Sequence, residues 1–72
     1  MKMVKVLSDW CFPVWWPRKC EEQLAEWRRL CRRFRLKPER NIKLEYRSHD
    51  GAYEWDIFVS KRLYDKCEAL DN

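Results

Sequence analysis

The chain has a single glycine among its 72 residues, and that glycine, Gly51, follows Asp50 between two alternating runs, Ile42 to Ser48 and Ala52 to Val59. Apolar residues at every second position are the mark of a half-buried strand, and Asp-Gly supplies the positive φ angles that a two-residue type I′ hairpin turn requires. The turn therefore sets the register. With Asp50 and Gly51 as the loop, His49 faces Ala52, Tyr46 faces Trp55, Leu44 faces Ile57 and Ile42 faces Val59, all of them consistent in face. One face of the hairpin is then apolar. The other pairs Arg47 with Glu54 and Glu45 with Asp56 and brings Lys43 beside Phe58.

A hairpin cannot bury its apolar face alone, so the rest of the chain must cover it. From Pro17, suited to a first helical position because it lacks an N–H, a helix is expected to run to about Lys37, where Pro38 disfavours further helical geometry. At about 100° per residue, Cys20, Gln23, Leu24, Trp27, Leu30, Cys31 and Phe34 fall in a sector of about 120°. That stripe is the expected covering face, with Leu24, Trp27, Cys31 and Phe34 against the hairpin. Lys37 to Asn41 is expected as a turn. A second helix follows Ser60 as N-cap, with Leu63, Tyr64, Cys67 and Leu70 as its stripe.

Lys2 to Leu7 alternates and is rich in Val, which predicts a first strand, with Ser8 to Trp16 as an irregular aromatic segment. Naming the strands β1 (2–7), β2 (42–48) and β3 (52–59), a right-handed crossover makes β1 parallel to β2, and the most apolar strand, β3, belongs between them. The expected fold is thus a two-layer α+β domain of β-α-β-β-α topology spanning 1–72. It carries a three-stranded mixed sheet in the order β1-β3-β2, with both helices packed on one face. Composition agrees with a folded chain, since hydrophobic residues make up 46% and aromatic residues 15%.

Charge is segregated along the chain. Arg28, Arg29, Arg32, Arg33, Arg35, Lys37 and Arg40 stand against Glu39 alone, a net +6 that leaves −2 for the remainder of a chain at +4. The helical arginines fall outside the apolar sector, while Glu21, Glu22 and Glu26 occupy the first half of the same helix, the order its macrodipole favours. Arginine is a planar fork suited to phosphate or carboxylate, so this stretch is the candidate site for nucleic acid or an acidic protein surface. A solvated helix face, partly neutralised by contacts of Glu26 with Arg29 or Arg33, is the plain structural alternative.

The second feature is the segment Trp10-Cys11-Phe12-Pro13-Val14-Trp15-Trp16-Pro17. Trp10, Phe12, Trp15 and Trp16 either cap the open end of the sheet or form an anchor for a partner or a platform for stacked bases, with at least one Trp exposed. From Pro17 to Arg35 a helix spans about 27 Å, so a ligand touching both features is macromolecular rather than a small molecule.

Little points to catalysis. No glycine-rich loop and no nucleophile beside a base is evident, and His49, the only histidine, sits in the turn next to Asp50, where hydrogen bonding to the backbone is the ordinary use. The expectation is no enzyme, no catalytic residue and no cofactor. Glu45, Glu54 and Asp56 read as partners of Lys43 and Arg47 rather than as a magnesium site. No metal site is expected, because the helix separates Cys20 from Cys31 by about 16 Å. Cys11 with Cys20, and Cys31 with Cys67, are the pairs that could meet, but reduced core cysteines are expected. Residues 1–7 lack the apolar run and cleavage site of a signal peptide, and no stretch of about 18 apolar residues occurs, so the expected location is cytoplasmic and not membrane-bound. The sequence thus predicts a small binding module that engages RNA or DNA backbone, or a nucleoprotein assembly, through its arginines. Its rival is an inhibitor or accessory subunit, by analogy of size and composition of the viral or mobile-element kind, anchored by the Trp-rich loop on an acidic protein.

Overall fold

The computed structural model describes residues 2–16 and 18–70, with residue 49 described by its backbone alone. Its elements are β1 (Met3–Cys11), a 3-10 turn (Pro13–Trp15), α1 (Arg18–Arg33), α2 (Pro38–Asn41), β2 (Ile42–His49), β3 (Ala52–Ser60) and α3 (Lys61–Leu70). The first helical position expected at Pro17 lies outside the described residues.

The hairpin register is the expected one, from His49 opposite Ala52 to Ile42 opposite Val59. Asp50 and Gly51 hold φ angles of 48° and 79°, so both loop residues lie in the left-handed region that a type I′ turn uses. The sheet order is β1-β3-β2. β1 and β2 point the same way, as a crossover requires. Because β3 lies between them, no parallel pair is bonded, and the sheet is antiparallel throughout rather than mixed.

β1 does not stop at Leu7. It continues to Cys11, with Ser8 opposite Asp56, Asp9 opposite Trp55, Trp10 opposite Glu54 and Cys11 opposite Tyr53. A register shift between Lys5 and Leu7 places a bulge at Val6, and both Val6 and Leu7 pack against the core. An extra residue in the strand thus lets two consecutive apolar side chains serve the interior. Only Pro13 to Trp15, a single 3-10 turn, is helical in the segment that follows.

α1 ends at Arg33, four residues short of Lys37, and its stop is built by backbone bonds. The Leu36 amide donates to the Cys31 carbonyl at 2.9 Å and the Arg35 amide to the Arg32 carbonyl at 3.2 Å. This is a Schellman cap, and Leu36 packs on the cluster around Cys31, the apolar contact that often accompanies such caps. The left-handed position that glycine usually fills is held by Arg35, at φ 58°. Pro38–Asn41, in the stretch Lys37 to Asn41 expected as a turn, form the helical turn α2.

α1 and α3 cover the face of β3 that carries Trp55, Ile57 and Val59. Cys20 and Leu24 of α1 join Cys11, Trp55 and Ile57 in one buried cluster, and Cys31 joins Val59 and Leu63 of α3 in another. Val6, Trp27 and Ile42 touch both clusters, which makes the half-buried Trp27 a bridge between them. Leu70, expected on the apolar stripe of the second helix, is exposed instead.

Two chains of side-chain hydrogen bonds, buried in part, fix the layers. The Trp55 indole N–H donates to Gln23 Oε1 at 2.6 Å, and Gln23 Nε2 donates to Asp9 Oδ2 at 2.7 Å, which ties β3 through α1 to β1. Ser60 Oγ accepts the Leu63 amide at 3.2 Å, the expected N-cap of α3, and donates to Asn41 Oδ1 at 2.6 Å. Asn41 Nδ2 completes that chain on the Lys37 carbonyl at 2.7 Å. Among the described residues no helix is long and apolar enough to cross a membrane.

Candidate functional site

All seven candidate cations are exposed, but they are not equivalent. Arg28 Nη1 lies 3.3 Å from Glu21 Oε2 and Arg29 Nη2 lies 2.9 Å from Glu26 Oε2, so the first two are already countered by acids of the same helix. Arg32, Arg33, Arg35, Lys37 and Arg40 have no ion pair among the described residues. Five of the cations without an ion pair among the described residues thus follow one another through the C-terminal end of α1, its cap and α2, with Glu39 the one acid among them. Lys66 of α3 adds to them, with Nζ 5.8 Å from the centre of the Phe34 ring. Periodicity within the first helix could not reveal Lys66, because only the packing of α3 brings it there.

The cationic residues at the end of α1 sit where the helix dipole is negative, so the fold itself tolerates them.

The aromatic segment divides. Trp10, Phe12 and Trp15 are 53%, 53% and 58% exposed and touch in series, with ring centres 5.4 Å apart for Trp10 and Phe12 and 6.2 Å for Phe12 and Trp15. Val14 extends this surface and is 79% exposed. Between the rings lies a cleft of about 190 Å³ whose walls include Asp9 and Lys19, two residues that sequence reasoning passed over. Trp16 does not belong to it. Half-buried, it lies on Tyr46, Tyr53 and Trp55 with ring centres 5.3 to 5.5 Å away, and so roofs the open end of the core.

The outer face of the sheet is a salt-bridged surface. Arg47 reaches Glu54 at 3.1 Å and Asp56 at 3.2 Å, and Ser8 Oγ donates to Asp56 Oδ1 at 2.6 Å. The Ser8 hydroxyl and then Arg47 hold the Asp56 carboxyl below the usual aspartate value, against its partial burial. At Asp9 burial opposes the charge, but donors from the Trp10 amide, Gln23 and Lys19 outweigh it and lower the value too. Both groups are more acidic folded than unfolded, so their stabilisation is complete above about pH 4 and is lost as pH falls through the lower native values. The melting temperature should therefore drop below about pH 4, and the deficit of Asp56→Asn against the wild type at neutral pH should shrink there. A deficit that stays constant from pH 7 to pH 3 would rule the coupling out.

Cys11, Cys20, Cys31 and Cys67 form no disulfide. Burial, with Glu21 and Cys11 nearby, pushes the Cys20 thiol up to about 11, and burial with Cys67 nearby raises that of Cys31. Neither is a ready nucleophile near neutrality. Among the described residues no three His, Cys, Asp or Glu side chains are grouped to hold a metal ion. The side chain of His49 lies outside the described residues. Comparison with protein families, curated proteins and solved structures finds no match for this chain.

Proposed function

We propose that this protein is a non-enzymatic binding module that engages the phosphate backbone of RNA or DNA through Arg32, Arg33, Arg35, Lys37 and Arg40, with Lys66 beside them. The observation that carries the reading is the partition of the ion pairs. Arg18, Lys19, Arg28, Arg29, Lys43, Arg47 and Lys61 each have a carboxylate within 3.4 Å, whereas among the described residues the five cations from Arg32 to Arg40 have none, and of the other cations only Lys2, Lys5, Arg62 and Lys66 share that state. Exposed cations without counter-charge along one stretch of chain attract a polyanion, and arginine matches phosphate with two parallel hydrogen bonds.

Binding of this kind releases condensed counterions. Log affinity should fall linearly with log salt, by about 0.7 per phosphate contact for a single strand or 0.9 for a duplex. Arg32→Ala or Arg33→Ala should reduce the slope by about one contact and weaken binding several-fold, while Arg28→Ala, whose charge Glu21 already meets, should change it less. Fluorescence anisotropy with a labelled oligonucleotide measures all of these. Equal effects of Arg28→Ala and Arg32→Ala would contradict the assignment.

The exposed rings of Trp10, Phe12 and Trp15 favour one second reading, a protein-binding inhibitor or accessory subunit that uses them as its anchor and the arginines for steering. In that case Trp15→Ala raises dissociation and salt mainly slows association. Binding that ignores salt and Arg32 but fails without Trp15 would select this reading.

A further inference from the structure

A three-stranded sheet has two edges, and here they differ. β1 carries the bulge at Val6 and directs the charged Asp9 toward the helix-bearing face, two features that discourage another strand from pairing with it. β2 has neither. Its register runs without a shift from Ile42 to His49, it contains no proline, and its helix-side residues Ile42, Leu44, Tyr46 and Ser48 carry no charge. Beside this edge an open groove of about 410 Å³ is lined by Leu24, Ile42 and Leu44 with Glu21, Arg28 and Glu39 at its margins. Tyr46, midway along the strand, is 63% exposed.

The backbone of β2 is set for pairing as well. With a two-residue turn, His49 and Ala52 form the first bonded pair of the ladder, so residues 47, 45 and 43 direct their amides and carbonyls at β3. Ser48, Tyr46, Leu44 and Ile42 therefore direct theirs away from the sheet.

We propose that the β2 edge is a homodimer interface, at which two copies pair antiparallel about a two-fold axis at Tyr46 to form a six-stranded sheet in the order β1-β3-β2-β2-β3-β1. The charges on the outer face choose both the occupant and the register. Centred on Tyr46, Glu45 of each copy meets Arg47 of the other, Leu44 meets Ser48 and the two tyrosines adjoin. Arg47 has donors to spare, since only its Nε and Nη1 are used within the chain. Centred on Glu45, the pairing would oppose Glu45 to itself and Lys43 to Arg47. Centred on Leu44, it would run into the helical turn α2, which ends at Asn41. Only the Tyr46 register joins opposite charges along extended backbone from Lys43 to His49.

Sedimentation velocity at rising concentration tests the interface. The wild type should move toward twice the 9.1 kDa of the monomer. Glu45→Lys, which sets like charges against Arg47 on both sides of the axis, should stay at monomer mass. So should Ser48→Pro, which removes an outward amide without breaking the ladder to β3. Circular dichroism checks that each variant is folded. Independently of any variant, exchange of the Leu44, Tyr46 and Ser48 amides should slow as concentration rises. A wild type that remains monomeric, amides whose exchange is indifferent to concentration, or a dimer that survives both substitutions would overturn the proposal.

Discussion

Trp55→Ala should leave the chain unfolded in water at room temperature, with its far-ultraviolet dichroism and cooperative melt both lost. Trp55 is the largest fully buried side chain, it sits on the central strand, and its indole N–H is bound to Gln23. Truncating a buried Trp costs about 3 to 5 kcal/mol, and the stranded Gln23 acceptor adds to that. A domain of this size rarely holds more than about 3 to 5 kcal/mol in its core. The loss therefore matches the whole. Trp27→Ala removes a half-buried ring and should cost less, although Trp27 is the more conspicuous residue in the helical pattern. A variant at position 55 that melts cooperatively within a few degrees of the wild type would show that the core does not depend on this side chain.

The second large effect should come from Ser60→Ala, at about 2 to 4 kcal/mol by urea denaturation. Two losses coincide in one hydroxyl. The α3 cap is removed, typically worth about 1 kcal/mol, and the buried Asn41 oxygen loses its donor, at about 1 to 3 kcal/mol. Asn41→Ala should cost a similar amount by the same logic. Because the two residues share one hydrogen bond, the double variant should lose less than the sum of the single ones. Strict additivity would mean that the chain from Lys37 through Asn41 to Ser60 does not act as a unit.

Much of this architecture could be read from residue order because local and global signals agree. Asp50-Gly51 specifies the turn, alternation specifies which face of β2 and β3 is apolar, and the stripe from Cys20 to Phe34 matches that face in length. The β1 extension was illegible for a physical reason. The bulge at Val6 breaks the period of two, and the next inward position is Asp9, a residue that looks foreign to a core until Gln23 and the Trp10 amide are seen to satisfy it. The end of α1 is not legible in the sequence because Arg35 stands where glycine would announce the cap. At the candidate site, the contact of Glu26 with Arg29 lies within reach of helical spacing, but Glu21 with Arg28 spans seven residues and becomes visible only from side-chain positions. The separation of Trp16 from its neighbours depends on Tyr46, Tyr53 and Trp55, which lie far off in the chain.

The middle strand of the sheet is the last strand to be synthesised. β1 pairs only with β3, from Met3 opposite Ser60 to Cys11 opposite Tyr53, so its ladder cannot form until the ribosome has made the whole of the intervening chain. At about 5 to 20 residues per second, those roughly fifty residues take several seconds. During that interval α1 has no sheet to cover, and the apolar side of β1 is open to solvent and to chaperones. The hairpin of β2 and β3, by contrast, closes locally within microseconds of its completion. Assembly in the cell is therefore expected to run backward along the sequence, with the hairpin capturing α1 and then recruiting the strand that was made first.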